Sequence, residues 1–491
     1  MTDRLLVADA LLGPDFAPAG PTEIRLRDGR IEAIVPAPEG APEGAAVAGL
    51  ALPAPVNAHD HARPLSATSF GLAGEPLETW LVGLGAMPPV DAGLAARAAL
   101  ARAAAGGVAA AMVHLTRPMG LVPLEEEAAQ IDAAARAVGL RIALALSLRD
   151  RNPLVYGDHA PVLEAVAARD GAAATRLAEA LARPMPPPAA QIAAVEAVAA
   201  ALSGTETDVQ FGPTGPQWCS PALLEAVAEA SARSGRRVHM HLLETRHQRA
   251  WADAEHPGGL LRWLDRIGLL SPRLTLAHCT WARPEELEII AASGATVAVN
   301  SSSNLHLASG IAPVREMLAR GVRVAMGIDG CALDEDDDAL RELRLLRALH
   351  AGPGVEAPGA RTMTPGAALT AACVTGRAGL GLPPGGLLEP GAPADILLLD
   401  LAALDRDRLL PVDPRALLLT RARREHVRGL WVGGRPVIAD GRLTGLDPAA
   451  AEEALRAAYR AALPATAAFR DGWPALRPAI AAWYRERLGC C

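Results

Sequence analysis

Between residue 50 and about residue 375, apolar runs of strand length alternate with Ala/Leu/Glu/Arg segments of helical spacing. This alternation limits the possible folds more than any other feature of the chain. The candidate strands are 108–114, 141–147, 208–212, 237–242, 274–277, 295–299 and 322–326, preceded by the run Leu50-Ala51-Leu52-Pro53. Helical patterns lie between them at 124–138, 221–234, 284–293, 311–320 and 339–350. Strands that alternate with helices pair in parallel, and eight such units fit a (β/α)8 barrel. A doubly wound open sheet is the structural competitor. The segment 150–206 is too long for one unit and contains a proline-rich break at 184–188, which predicts an inserted helical excursion.

The two chain ends read differently. Glu23–Leu26 and Arg30–Ile34 alternate around Asp28-Gly29, a hairpin signal. After residue 380, strand-like runs return at 394–400, 426–432 and 435–438, with turns at Gly433-Gly434 and Asp440-Gly441. The simplest construction is an α/β protein in which residues 1–50 and 380–446 form one small β-sandwich domain. Residues 51–379 then form a distorted TIM-type barrel, and 447–491 a C-terminal helical extension.

The functional residues of such a barrel sit at the C-terminal ends of its strands. The first strand leads to His59-Asp60-His61, and residues i and i+2 of a strand share a face. The fifth gives His239-Met240-His241 and then Glu244, the sixth ends at His278, and the eighth at Gly327-Ile328-Asp329-Gly330. Three imidazoles and a carboxylate, His59, His61, His241 and Asp329, make a coordination set for one divalent ion with an open position for water. Such an ion lowers the pKa of that water toward neutrality. Asp329 could accept the water's proton, Glu244 is placed to shuttle a proton to a leaving nitrogen, and His278 to orient or polarise the water. One strand-end histidine is usually a satisfied polar residue. Four strand ends in order, each with the right residue type, specify a site.

Composition removes other classes. The formal net charge is −8 with no basic run, which argues against nucleic acid and anionic membrane as partners. Aromatic residues are only 3% of the chain, so the core must be aliphatic and stacking partners few. The start of the chain lacks a charged segment followed by an apolar core, so no signal peptide is expected. The window 95–112 reads as a packed helix running into a strand rather than a membrane span. The six cysteines show neither a disulfide framework nor zinc-type spacing, which points to a reducing cytoplasm. The acidic run 334–338 precedes a helix and is read as favouring its N-terminus.

Taken together, Asn57-Ala58-His59-Asp60-His61, His241-x-x-Glu244, His278, the stretch Ser303-Asn304-Leu305-x-Leu307-Ala308-Ser309-Gly310 and Asp329-Gly330 resemble the amidohydrolase superfamily. The closer resemblance is to its aminohydrolases acting on guanine, cytosine, pterins, adenosine derivatives and triazines. Gly385-Gly386-x-Leu388-Glu389-x-Gly391-x-x-Ala394-Asp395 is similar to that family's returning β-domain. The resemblance implies a single zinc, or else iron, a homodimer, and hydrolytic removal of an amino group from an aromatic N-heterocycle, a small-molecule substrate. It also implies the ligand and helper roles given above. Two-metal members bridge their ions with a carbamylated lysine, and this chain has no lysine. Where deaminases of thioadenosine-type substrates carry a Pro-His-Ala-Pro-like stretch, the sequence here is Gly212-Pro213-Thr214-Gly215, which counts against a nucleoside.

Candidates for the substrate pocket are Arg63, Trp80, Thr214, Gln217, Trp218 and Asn304. Arg63 could hold a carbonyl or carboxylate, and Trp80 could stack on a planar ring. His114, Arg149, Tyr156 and His159 follow strands two and three and are candidates for the mouth. Two rival functions use the same framework. One is cleavage of another C–N or C–Cl bond, on a triazine or a cyclic amide; the other is a catalytically silent metal-binding homologue.

Overall fold

The computed structural model describes residues 4–37, 46–151, 153–330, 335–352 and 363–488. The chain opens with five strands, β1 (Arg4–Leu12), β2 (Pro18–Ala19), β3 (Thr22–Arg27), β4 (Arg30–Pro36) and β5 (Ala46–Pro53). Eight more follow: β6 (Val56–Asn57), β7 (Ala110–Leu115), β8 (Arg141–Leu148), β9 (Asp208–Pro213), β10 (Val238–Leu242), β11 (Leu274–His278), β12 (Thr296–Val299) and β13 (Arg323–Met326). The last four are β14 (Ile396–Leu399), β15 (Val427–Val432), β16 (Arg435–Ala439) and β17 (Arg442–Leu443).

Strands β6 to β13 pair in sequence order, every pair parallel, with helices between them. This is the (β/α)8 barrel expected from the alternation. The ring is closed by Ala58 N–H donating to Met326 O (2.9 Å) and Asp329 N–H donating to His59 O (2.9 Å). The barrel interior is aliphatic at its lower end, where Val56, Ala110, Met112, Ala143 and Ala145 pack with Leu380. Both chain ends share one nine-stranded sheet in the order β17-β16-β15-β14-β5-β1-β3-β4, with β2 on β1. The β3–β4 hairpin turns through Asp28 (φ 49°) and Gly29 (φ 78°), the two left-handed positions that a tight two-residue turn requires. Two helices, Pro448–Ala462 and Ala467–Leu488, close the described chain.

Three expectations change. The run Leu50–Pro53 belongs to β5 in the terminal sheet, and the first barrel strand is only Val56–Asn57. Pro53 and Pro55 lack the N–H a continuous ladder would need, so the chain passes from one sheet to the other between them. His59 and His61 therefore lie just beyond a strand rather than on one. The helix expected at 311–320 is shortened to Val314–Ala319, because Pro313 marks its start. Asp338 caps the helix Ala339–His350 through Leu340 N–H, as the acidic run suggested. The rest of that run is engaged elsewhere: Asp337 pairs with Arg102 and Asp336 with Arg341. Asp334, Cys331, Cys490 and Cys491 lie outside the described residues.

Asp395 ties the two sheets together. Its carboxylate meets Arg377 (2.9 Å) and Arg141 of β8 (3.0 Å) and accepts from Gly433 N–H (2.8 Å). Removing a partner from a buried ion pair leaves an uncompensated charge. Asp395→Ala is therefore expected to cost about 3–5 kcal/mol, seen as a lowered urea midpoint; an unchanged midpoint would contradict this role. Cys219, Cys279 and Cys373 are buried and free. Burial pushes the thiols of Cys219 and Cys373 up to about 12 and raises that of Cys279 as well. At pH 8 on the order of one Cys219 or Cys373 thiol in ten thousand is then ionised, and only thiolate reacts. Peptide mapping after iodoacetamide should find all three unlabelled in the native protein and labelled in urea.

Candidate metal centre

The barrel closure sets the site. Asn57 on β6 spends its side-chain carbonyl on Ile328 N–H (2.9 Å) and its amide on Asp60 (2.6 Å). Asp60 in turn accepts from His61 N–H (2.7 Å) and Ala62 N–H (2.8 Å). Asp60 thus points away from the site and fixes the bend that carries the two histidines. Gly327 permits the close approach: a Cβ there would stand 2.1 Å from Asn300 Oδ1 and 3.0 Å from His59 Cβ. Asp329 (φ 69°) and His278 (φ 72°) both adopt left-handed backbone at the ends of their strands. Such conformations are unfavourable for side-chain-bearing residues and concentrate at functional sites.

The side chains converge at the top of the barrel. His59 Nε2 and His61 Nε2 lie 3.2 and 3.1 Å from Asp329 Oδ1, and His241 Nε2 lies 3.3 Å from His61 Nε2. Donors around a tetrahedral zinc at about 2.1 Å are spaced by about 3.4 Å. The observed spacings match. The hydrogen bonds on the other ring nitrogens fix the tautomers. His61 Nδ1–H donates to His114 O (2.7 Å) and His241 Nδ1–H to Thr214 O (2.7 Å), leaving each Nε2 with a lone pair aimed at the site. His59 Nδ1 faces His239 Nε2 at 2.6 Å, and a proton on His59 Nδ1 would leave its Nε2 free in the same way. Two buried atoms, His59 Nε2 and Asp329 Oδ1, have no hydrogen-bond partner among the described residues. Orphaned acceptors facing one another are unfavourable without a cation. The donor set fits a divalent metal.

Electrostatics favours the protonation states that a metal requires. Burial lowers His59 to about 3, outweighing the pull of Asp329, and lowers His61 and His241 too. Burial alone would raise Asp329, but the His59 and His61 imidazoles hold its carboxyl well below the usual range. Ser303 Oγ–H donates to Asp329 Oδ2 (2.5 Å), turning Oδ1 toward the histidines.

Glu244 is buried beside this set, its Oε2 3.7 Å from His278 Nε2, and burial raises it to about 7. Ser309 Oγ–H reaches its other oxygen at 3.4 Å. His278 Nε2 is also 3.9 Å from Asp329 Oδ2, while its Nδ1–H donates to Asn304 Oδ1 (2.8 Å).

A cavity of about 340 Å³ opens above these residues. Arg63, Trp80, Thr214 and Trp218 line it, together with His61, His241 and Glu244. Gln217 and Asn304 do not. Gln217 is buried away from the cavity wall, and Asn304 accepts from His278 Nδ1–H, so for Asn304 a structural role replaces the expected substrate contact. Trp80 is 1% exposed and the Arg63 guanidinium lies 4.5 Å from its ring centroid, so its stacking partner is Arg63. Of the residues expected at the mouth, Arg149 lines the cavity. His114 lies beneath the metal set with Nε2 near Gly212 O, Tyr156 packs on Tyr484, and His159 precedes the helix Ala160–Ala167. His239 went unassigned in the sequence, although it stands two residues from His241 as His59 does from His61. His59, His114 and His239 also cluster, but 2.6 Å between ring nitrogens is a hydrogen bond and too short for a metal between them.

A family model described as "Amidohydrolase family" matches residues 50–438. The chain is 34% identical over 247 residues to a 5'-deoxyadenosine deaminase of Methanopyrus kandleri, covering 50% of this chain and 56% of the relative. It is 37% identical over 240 residues to a 5-methylthioadenosine/S-adenosylhomocysteine deaminase of Moorella thermoacetica, covering 48% and 54%. The matched part thus spans about half the length of these curated relatives. Among solved structures, an adenosine deaminase from Xanthomonas campestris with bound zinc superposes with a TM-score of 0.77 at 24% identity, covering 94% of this chain and 99% of that one. An atrazine chlorohydrolase variant from Arthrobacter aurescens, complexed with zinc and atraton, gives 0.75 at 21%, covering 93% and 99%. At these identities the structural likeness concerns the fold.

His239 Nε2 stands at hydrogen-bond distance from His59 Nδ1, so it would orient a candidate ligand without being one. His239→Ala is expected to weaken zinc binding about 10–100-fold, read by competition with a chromogenic chelator. Unchanged affinity would remove His239 from the support of the site.

Proposed function

This chain belongs to the amidohydrolase family, and on that footing we propose that it is a metal-dependent hydrolytic deaminase that releases ammonia from an aminated N-heterocycle. The observation that carries the reading is Glu244, a buried carboxyl raised to about 7 on the wall of the cavity, beside a complete donor set. A general acid–base that works near neutrality needs such a value. His59, His61, His241 and Asp329 would hold one divalent ion, which when bound supplies water acidic enough to ionise near neutral pH. Glu244 carries a proton on its carboxylate oxygens, gives it to the ring nitrogen, and assists departure of the amine. His278, fixed by Asn304 through Nδ1, presents Nε2 to both Glu244 and Asp329 and steadies the charge between them. The carbon–nitrogen bond to the exocyclic amine breaks, and the oxygen of water takes its place.

Zinc is the proposed metal and iron the alternative, since three imidazoles and a carboxylate suit both. The zinc in two structural neighbours supports the choice. The homodimer implied by the resemblance belongs to the same proposal. So does a cytoplasmic setting, to which the three buried free thiols lend support. Among the described residues no helix is long and apolar enough to cross a membrane. The relatives' names favour an adenosine derivative as substrate. Thr214 or Gly215, however, stands where such enzymes were expected to carry histidine, and the Thr214 carbonyl is committed to His241, so the ring is stated only as a purine, pyrimidine, pterin or triazine.

The metal-loaded protein is expected to release ammonia from at least one member of a panel of adenosine derivatives, guanine, cytosine, pterin and aminotriazines, and to stop with chelator. Chloride or a free alkylamine in place of ammonia would instead establish the rival triazine-type reaction. Glu244→Gln should lower kcat by about 10²–10⁴-fold with full metal content. Retained activity would refute its role in proton transfer.

A further inference from the structure

The cavity wall carries an unusual charge. Arg63, Arg117 and Arg149 all line it, whereas among the described residues Glu244 is the only carboxylate that does. Most of the remaining lining is apolar, including Leu77, Leu81, Val82 and Leu154. The whole chain is acidic, at −8, so this concentration of cations is local.

None of the three arginines has a carboxylate partner among the described residues, although arginines elsewhere in the fold are commonly paired. The Arg63 side chain lies over Trp80, and its Nε is buried with no acceptor. Arg117 is held at the wall by the carbonyls of Leu84 and Met87. The guanidinium of Arg149 makes no hydrogen bond to any described residue; only its backbone N–H is engaged, with Gln191 (2.9 Å). Desolvation lowers the pKa of both Arg117 and Arg149, and the cations at Arg63 and Arg149 push Arg117 down further. Gathering three guanidinium groups around a partly dry chamber is costly unless an anion joins them. Guanidinium presents a planar fork that matches a carboxylate or phosphate.

Their placement is also ordered. Arg63 follows β6, Arg117 follows β7 and Arg149 follows β8, three neighbouring strands of the barrel. Glu244 and His278 stand after β10 and at the end of β11. A ring whose reacting carbon faces Glu244 would direct its opposite edge toward the three arginines.

We propose that the substrate is an amino-heterocycle bearing an anionic oxygen substituent, a carboxylate or a phosphate, which Arg63, Arg117 and Arg149 bind across the cavity from Glu244. This rests on the deaminase reading for the chemistry but not for the anion subsite, and two measurements separate them. Binding is measured first, by calorimetry on the zinc-loaded protein with uracil, orotate and uridine 5'-monophosphate, none of which carries a scissile amine. At least one anionic ligand should bind tenfold or more tighter than uracil, and the choice between orotate and the monophosphate tells carboxylate from phosphate. That preference should shrink at least fivefold in Arg149→Gln and in Arg117→Gln, and between 0.05 and 0.5 M salt in the unaltered protein. Ammonia release is then compared for cytosine, cytosine-5-carboxylate and cytidine 5'-monophosphate, and for pterin and pterin-6-carboxylate. Higher kcat/KM for the anionic member of a pair, lost in Arg149→Gln, supports the inference. Turnover without any preference for the anion overturns it and leaves the deaminase standing. Selective anion binding without ammonia from any compound supports the subsite and overturns the reaction. Equal binding of uracil and both anions, in all proteins and at both salt concentrations, overturns the subsite.

Discussion

The contact on which the site depends is the closure of the barrel between its first and last strands. Ala58 N–H meets Met326 O, and Asp329 N–H meets His59 O. These two backbone bonds do more than complete a ring. They bring a histidine from residue 59 and a carboxylate from residue 329 within 3.2 Å, across 269 residues of intervening chain. Gly327 leaves no room for a side chain at this junction, and Asn57 braces it from both sides. Loss of this closure would separate the carboxylate from the imidazoles whatever the rest of the barrel did.

Burial then turns geometry into chemistry. A dry barrel top keeps His59, His61 and His241 neutral, while Ser303 Oγ–H donates to the Asp329 carboxylate. The same dryness raises Glu244. Burial therefore leaves neutral imidazoles with lone pairs to offer and a carboxyl able to exchange a proton near neutral pH. The backbone carbonyls of His114 and Thr214 point each ring, so donors from separate strands share one focus. The low aromatic content has a counterpart here. The few large rings near the cavity are used as walls, with Trp80 covered by Arg63.

The barrel was legible because its signal is periodic. Helices at 124–138, 221–234, 284–293 and 339–350 begin and end where their apolar spacing and caps place them. That His59, His61, His241, Glu244, His278 and Asp329 would converge could be read because strand ends are where a barrel gathers its polar side chains. What the sequence could not show has specific reasons. Leu50–Pro53 is apolar in either sheet, so composition could not tell that β5 would claim it. The left-handed backbone at His278 and Asp329 depends on tertiary contacts, not on residue type. Asn304 is polar, and polarity alone does not separate a pocket wall from a hydrogen-bonded support. Arg149 is already a candidate for the mouth in the sequence, but Arg117 stands out only once the structure shows that no described carboxylate meets it.

The central claim is that His59, His61, His241 and Asp329 share one metal ion. X-ray absorption spectroscopy of the zinc-loaded protein tests it most directly, with each of the four positions replaced in turn. The account predicts a first shell of three imidazole nitrogens and carboxylate or water oxygen at about 2.0–2.2 Å, with one nitrogen fewer in each histidine variant and an altered oxygen shell in the aspartate variant. A shell that contains sulfur, or that stays the same when His59 or Asp329 is replaced, would contradict it.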